Sequence, residues 1–229
     1  MRKRISIFSL SILLCASSWA QGSNVIGEVS PKLKKFLSDN PAAIKILTNA
    51  ISSVFSNRTA RLLYFYSNDK SEFEARAFHY YPNVVGQPEI TLCVRENQSP
   101  LDEFIAILFE TLNSKGEPGF TKLSQDAYYG TISREQFAKE VRRYEFEAIK
   151  NTQAALITLK LSKKEINGSF YYRRFIECPT EFADFLTYSK KISPNRDFDK
   201  EYELQYDSLR KMYYEYHDSN SPSNSPAKH

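Results

Sequence analysis

Few residues in this chain could run acid–base or metal chemistry. The histidines are His79, His217 and His229. A Ser-His-Asp or Cys-His set would have to use His79 or His217, and neither lies beside a convincing nucleophile. His79 sits between Phe78 and Tyr80 in a strand-like pattern, where a hydrogen-bonded structural histidine is the simpler expectation. His217 falls at the end of a helical pattern and suits the helix dipole. Carboxylates are the better candidates. Glu110 interrupts the apolar run Leu108-Phe109-Glu110-Thr111-Leu112, and Glu145 and Glu147 straddle a helical stripe. A carboxylate left unpaired in a dry core is costly. Glu110 should therefore be protonated, pair with a base such as Arg142 or Arg143, or reach a cleft; otherwise it lies on the exposed edge of its helix. Cys93 and Cys178 form one candidate disulfide, the alternative being two buried thiols. Tyr171-Tyr172-Arg173-Arg174 joins rings to cations, as anion-binding surfaces do, but reads more simply as a strand with snorkelling arginines.

These groups need elements to position them. Ser30-Pro31 and Asn40-Pro41 read as helix starts, followed by Leu33, Phe36 and Leu37, then by Ile44, Leu47, Ile51 and Val54 at helical spacing. Segments 61–66, 74–80 and 89–94 read as strands. Ser99-Pro100 opens a broadly apolar helix to Asn113, with Asp102 and Glu103 in the first turn where they suit the dipole. A short helical piece over 120–129 follows. Ser133, with Gln136 three residues on, starts the longest stripe: Phe137, Val141, Tyr144, Ala148, Thr152, Ala155 and Leu159. Segment 170–176 reads as a strand, and 179–189 and 197–217 as helices. The tyrosines of the last helix, Tyr202, Tyr206, Tyr213, Tyr214 and Tyr216, are four or seven apart in several cases. That spacing favours core packing over a docking face. The expected fold class is α+β: a small mixed or antiparallel sheet packed against several long helices.

The order strand 89–94, buried helix 100–113, long helix 131–161 resembles the core of the zincin metallopeptidases. Their HExxH motif places two histidines one turn apart on a zinc ion, with a glutamate between them as base. Laid on this chain, the motif falls on Phe109-Glu110-Thr111-Leu112-Asn113, so Glu110 keeps the base position while Phe109 and Asn113 stand where the ligands would be. Glu145-Phe146-Glu147-Ala148 matches the acidic context of the family's third ligand. The resemblance covers about a third of the chain and implies a zincin-like scaffold with a degenerate site. Catalytic zinc usually takes three ligands of the histidine and carboxylate type, and Phe109 cannot ligate. The resemblance thus points to Glu110, Asn113, Glu145 and Glu147 as a binding set without peptidase chemistry. No cofactor is expected.

Arg2, Lys3 and Arg4, then an apolar run to Cys15, then Ser18 and Ala20 have the three-part layout of a cleavable export signal over residues 1–20. The mature chain then has 28 basic residues (31 − 3) against 27 acidic ones, which removes the main argument for a nucleic-acid partner. No second long apolar run follows, so no transmembrane anchor is expected after cleavage. Residues 21–218 read as one domain and 219–229 as a disordered Ser/Pro/Asn-rich tail. Neither a Walker-type nor a GxGxxG element is present. Asn57-Arg58-Thr59, Asn97-Gln98-Ser99 and Asn167-Gly168-Ser169 are glycosylation-compatible triplets. The leading expectation is a secreted or periplasmic non-catalytic protein, a peptidase-like scaffold that binds a peptide or protein partner. The alternatives are a metal-dependent hydrolase using Glu110 with Glu145 or Glu147, and a structural envelope protein.

Overall fold

The computed structural model describes residues 25–26, 29–54, 59–65, 77–80, 89–95, 98–194 and 196–220. The expected export signal, the tail beyond Asn220, Asn57 and Asn97 lie outside them, as do the side chains of His79 and Cys93.

The described body is helical: α1 (Pro31–Asp39), α2 (Pro41–Val54), α3 (Pro100–Asn113), α4 (Glu117–Tyr129), α5 (Arg134–Ile157), α6 (Lys163–Asn167), α7 (Phe170–Ile176), α8 (Phe182–Ile192) and α9 (Phe198–Asn220). The expected fold class is thereby corrected. The chain is a helical, bundle-like fold and not an α+β domain built on a sheet. Short extended segments at Val25–Ile26, Thr59–Phe65, Ala77–Tyr80 and Glu89–Arg95 pair through their backbones in the order first, second, fourth, third. Of their side chains, Leu62, Leu92 and Val94 are described, all buried in the core that α3 dominates.

The physical reason for the correction lies in the packing. Helix α3 buries residues on all its faces, among them Leu101, Phe104, Ile105, Ile107 and Leu108, against α1, α2, α5 and α7. Helix α5 is the second axis and reaches three apolar clusters. Leu156 joins the α1–α2–α3 core, Phe137 and Val141 meet Leu123 and Ala127 of α4, and Phe146 meets Cys178 and Phe185. Helix packing on helix therefore carries most of the core, which Leu62, Leu92 and Val94 of the extended segments complete.

The segment expected to be a strand, 170–176, is helix α7. Its N-cap, Ser169, accepts from Tyr172 N. The buried Asp102 carboxylate of α3 accepts from Ser169 Oγ at 2.6 Å, Phe170 N at 3.1 Å and Tyr171 N at 2.8 Å. Aromatic residues favour strands only weakly, and a carboxylate fixed over the first-turn N–H groups supplies what a helix N-terminus lacks. The neighbouring residue repeats the device. Glu103 accepts from Ser30 Oγ at 2.6 Å and Ser30 N at 3.3 Å, and Ser30 is the N-cap of α1. Two consecutive carboxylates in the first turn of α3 thus hold the N-termini of two other helices.

Helix α4 stops at Gly130, which is left-handed (φ 73°) and packs under Arg210. The guanidinium donates to Tyr128 O at 2.6 Å, so a cation and a donor sit at the negative end of α4. A Cβ at residue 130 would lie 2.8 Å from Arg210 Cζ. Gly130→Ala combines left-handed strain with displacement of Arg210, and we expect a loss of about 2 kcal/mol by urea unfolding. In an Arg210→Ala background the same change should cost clearly less. Equal costs in both backgrounds would show that Arg210 is not what the glycine accommodates.

Candidate functional site

The positions singled out from sequence separate on the fold. Glu110 and Asn113 are buried on α3. Glu145 is partly buried on α5, and the two carboxyl groups are close enough for Glu110 to raise the Glu145 pKa. Glu147, two residues and about 200° further round the helix, is exposed. The two flanking glutamates thus face opposite sides of α5. Phe109 packs edge-on against Phe175 with ring centroids 5.4 Å apart, as a core residue. Asn113 Oδ1 and Thr111 Oγ1 are buried with no hydrogen-bond partner. Among the described residues no group of three or more His, Cys, Asp or Glu is placed to hold a metal ion. Cys178 is a free thiol buried beside Phe146 and Phe185, and burial pushes its pKa up to about 11.

What gathers around Glu145 is a cluster that sequence spacing does not display. Its centre is Arg142, only 2% exposed. The guanidinium lies between two rings, 5.0 Å from the centroid of Phe185 on α8 and 4.8 Å from that of Phe198 on α9. Its Nη2 donates to Ser189 Oγ at 2.6 Å, its Nη1 is 3.6 Å from Asp199 and its Nε is 3.9 Å from Glu145. Tyr202 of α9 donates its phenol to the other oxygen of Glu145. Arg196 closes the cluster with two 2.7 Å bonds to Glu201 and stacks 4.3 Å from Phe198. Three helices, α5, α8 and α9, are thus joined through one arginine.

The electrostatics follow from burial. Removal from water raises the Glu145 carboxyl above its ordinary value of 4.5; the Tyr202 bond and the Arg142 and Arg196 charges oppose this, and Glu110 adds to it. Burial, then the charge of Glu145, holds the Tyr202 phenol protonated well above its usual range. Because the folded pKa of Glu145 is raised, the native state binds more proton than the unfolded chain. The stabilising contribution is complete below about 4.5 and is lost as pH rises through the folded value. Glu145→Gln should flatten this slope. Urea unfolding at about pH 5 and about pH 7 should show wild-type stability falling more steeply than that of the variant. Parallel slopes would show that Glu145 ionises as an ordinary surface carboxylate.

Chemically the cluster is closed on itself. Each acid faces an arginine or a phenol, and the one serine hydroxyl, Ser189, accepts from Arg142 and donates to Leu186 O, with no base beside it. Arg142 carried one sequence signal: it lies midway between Ala138 and Phe146 at four-residue spacing, on a second buried stripe that the first had hidden.

A different group of side chains faces outward. At the C-terminal ends of α4 and α9, Tyr213 meets Tyr128 at 5.2 Å, Tyr129 at 6.1 Å, Tyr214 at 5.6 Å and His217 at 4.3 Å between ring centroids. Arg210 lies 5.0 Å from the Tyr213 centroid and 4.8 Å from that of Tyr214, and donates to Tyr214 Oη at 2.8 Å. Tyr129, Tyr214 and Tyr216 are 62%, 53% and 61% exposed, and Met212 beside them 57%. The tyrosines of α9 therefore divide. Tyr202 and Tyr206 pack inward, as their spacing predicts, while Tyr214 and Tyr216 stand in solvent.

No protein-family model, no curated protein and no solved structure matches the chain. Among the described residues no helix is long and apolar enough to cross a membrane.

Proposed function

We propose that this is an exported, non-catalytic protein whose helical body presents a tyrosine-rich knob to a protein partner. The observation that carries the reading is the exposed aromatic end of α4 and α9. Tyr129, Tyr214, Tyr216 and Met212 are more than half exposed, and Arg210 braces the rings of Tyr213 and Tyr214 among them. Tyrosine and arginine are the residues enriched at the energetic centres of protein interfaces. A ring braced before binding loses little side-chain freedom on docking. Export rests on the three-part pattern of residues 1–20.

The zincin-like scaffold remains part of the proposal as an origin for the segment 89–155, with Glu110 in the position of the lost base. Its use here is as a frame: Glu145 is committed to Tyr202, and Glu147 lies on the other side of α5.

The test uses the protein with a photo-crosslinking residue at position 205, on α9 away from the knob, in extract of the compartment that receives it. A saturable crosslinked partner is expected. Its affinity should fall by tenfold or more in the Tyr214→Ser/Tyr216→Ser double variant, a loss of at least about 1.4 kcal/mol. A partner bound with unchanged affinity by the double variant would overturn the assignment of the knob.

A further inference from the structure

We propose that Asn167 is a site of spontaneous deamidation whose product loosens the joint between α3 and α7. Asn167 is exposed at the end of α6 and is followed by Gly168, which has no Cβ to hinder attack by its own backbone nitrogen. In the reaction the Gly168 nitrogen attacks the side-chain carbonyl carbon of Asn167. The C–N bond of the amide breaks, and the nitrogen leaves as ammonia with the Gly168 proton. Water then opens the resulting succinimide at either carbonyl, giving aspartate or isoaspartate.

In the folded protein the attacking N–H is occupied, since it donates to Lys164 O at 3.0 Å. The reaction therefore proceeds through opening of α6, and α6 is built to open readily. It has five residues, none of them buried, far fewer than an isolated helix needs to hold together in water. Its ties are a capping box, in which Ser162 N donates to Glu165 Oε2 at 2.7 Å and Glu165 N to Ser162 Oγ at 3.2 Å, and a side-chain hydrogen bond between Asn40 and Glu165. Segments with few buried contacts open at a small fraction of the global unfolding free energy.

The consequence lies one residue further on. Ser169 is buried, caps α7 and donates to Asp102 at 2.6 Å. Isoaspartate lengthens the main chain by one methylene at residue 167, directly ahead of the Gly168-Ser169 cap. The serine and the N–H groups behind it are displaced from the carboxylate.

The purified protein is incubated at mildly alkaline pH and mapped for aspartate and isoaspartate at residue 167, with a urea-unfolded sample as reference. We expect a mixture of the two products, formed faster in Ser162→Ala, where α6 opens more often, and absent in Asn167→Gln. Incubated wild-type protein should show a lowered thermal midpoint, and incubated Asn167→Gln should not. The proposal is overturned if residue 167 keeps its amide while the unfolded chain converts, or if conversion leaves the midpoint unchanged.

Discussion

Asp102→Ala is expected to lower stability by about 4 kcal/mol. The carboxylate is buried and accepts three hydrogen bonds, from Ser169 Oγ, Phe170 N and Tyr171 N. Bonds to an ionised acceptor contribute about 1.5–3 kcal/mol each, and removing the acceptor strands donors that no longer reach water. The first turn of α7 should then fray, and Phe175 with it, which packs against Phe109. For a chain of this size the thermal midpoint should fall by about 10 °C. Asp102→Asn separates charge from shape: it keeps the volume but turns one acceptor into a donor facing donors, and should lose about half as much. Hydrogen exchange localises the effect. Amides of residues 171–176 should lose protection before those of α5. A uniform loss over the whole chain, or Asn and Ala behaving alike, would show that the carboxylate is not the cap of α7.

Arg142→Ala should cost about 3 kcal/mol, because it removes a large buried side chain together with the cation that faces Glu145 and Asp199. It also empties the space between Phe185 and Phe198 and removes the donor to Ser189. Lysine is a poor substitute: it has no planar group to fill the gap between the rings and no fork to reach Ser189, Asp199 and Glu145 together. We expect Arg142→Lys to lose at least about half of the alanine effect. The informative combination is Arg142→Met with Glu145→Gln, which keeps the volume and removes both charges. Such exchanges are often neutral or stabilising by 1–4 kcal/mol, so the double variant should be markedly more stable than Arg142→Ala. If it is as unstable as Arg142→Ala, the cluster holds the helices by hydrogen-bond geometry that methionine cannot replace. An Arg142→Ala protein of wild-type stability would show that the arginine does not join α5 to α8 and α9.

Local signals were legible wherever neighbours in sequence decide the outcome. The Ser-Pro starts of α1 and α3 lie where the sequence puts them, and Ser30 and Ser99 accept from Leu33 N and Asp102 N. Ser133 accepts from Gln136 N and opens α5. These caps join residues three apart, so the chain carries both halves of each interaction side by side. The stripe of α5 was likewise visible, because helical periodicity is a property of one segment. The candidate site was legible in part. Glu110 and Glu145 do approach within reach of each other's charge, and Glu147, equally acidic and two residues away, does not.

By itself the sequence determined where α1, α2, α3 and α5 begin, which of their faces are apolar, and that a histidine-based catalytic set is scarce. The tertiary structure alone decided that 170–176 is a helix, that Cys178 is a free thiol, and that Arg142 is buried while Arg143 beside it is exposed. It also decided that Asp102 serves a helix 67 residues away as well as its own. The physical reason is the same in each case. Propensities and caps act over three or four residues. Burying a charge, or capping one helix with another's carboxylate, depends on which distant segment arrives to supply the counter-charge or the donor.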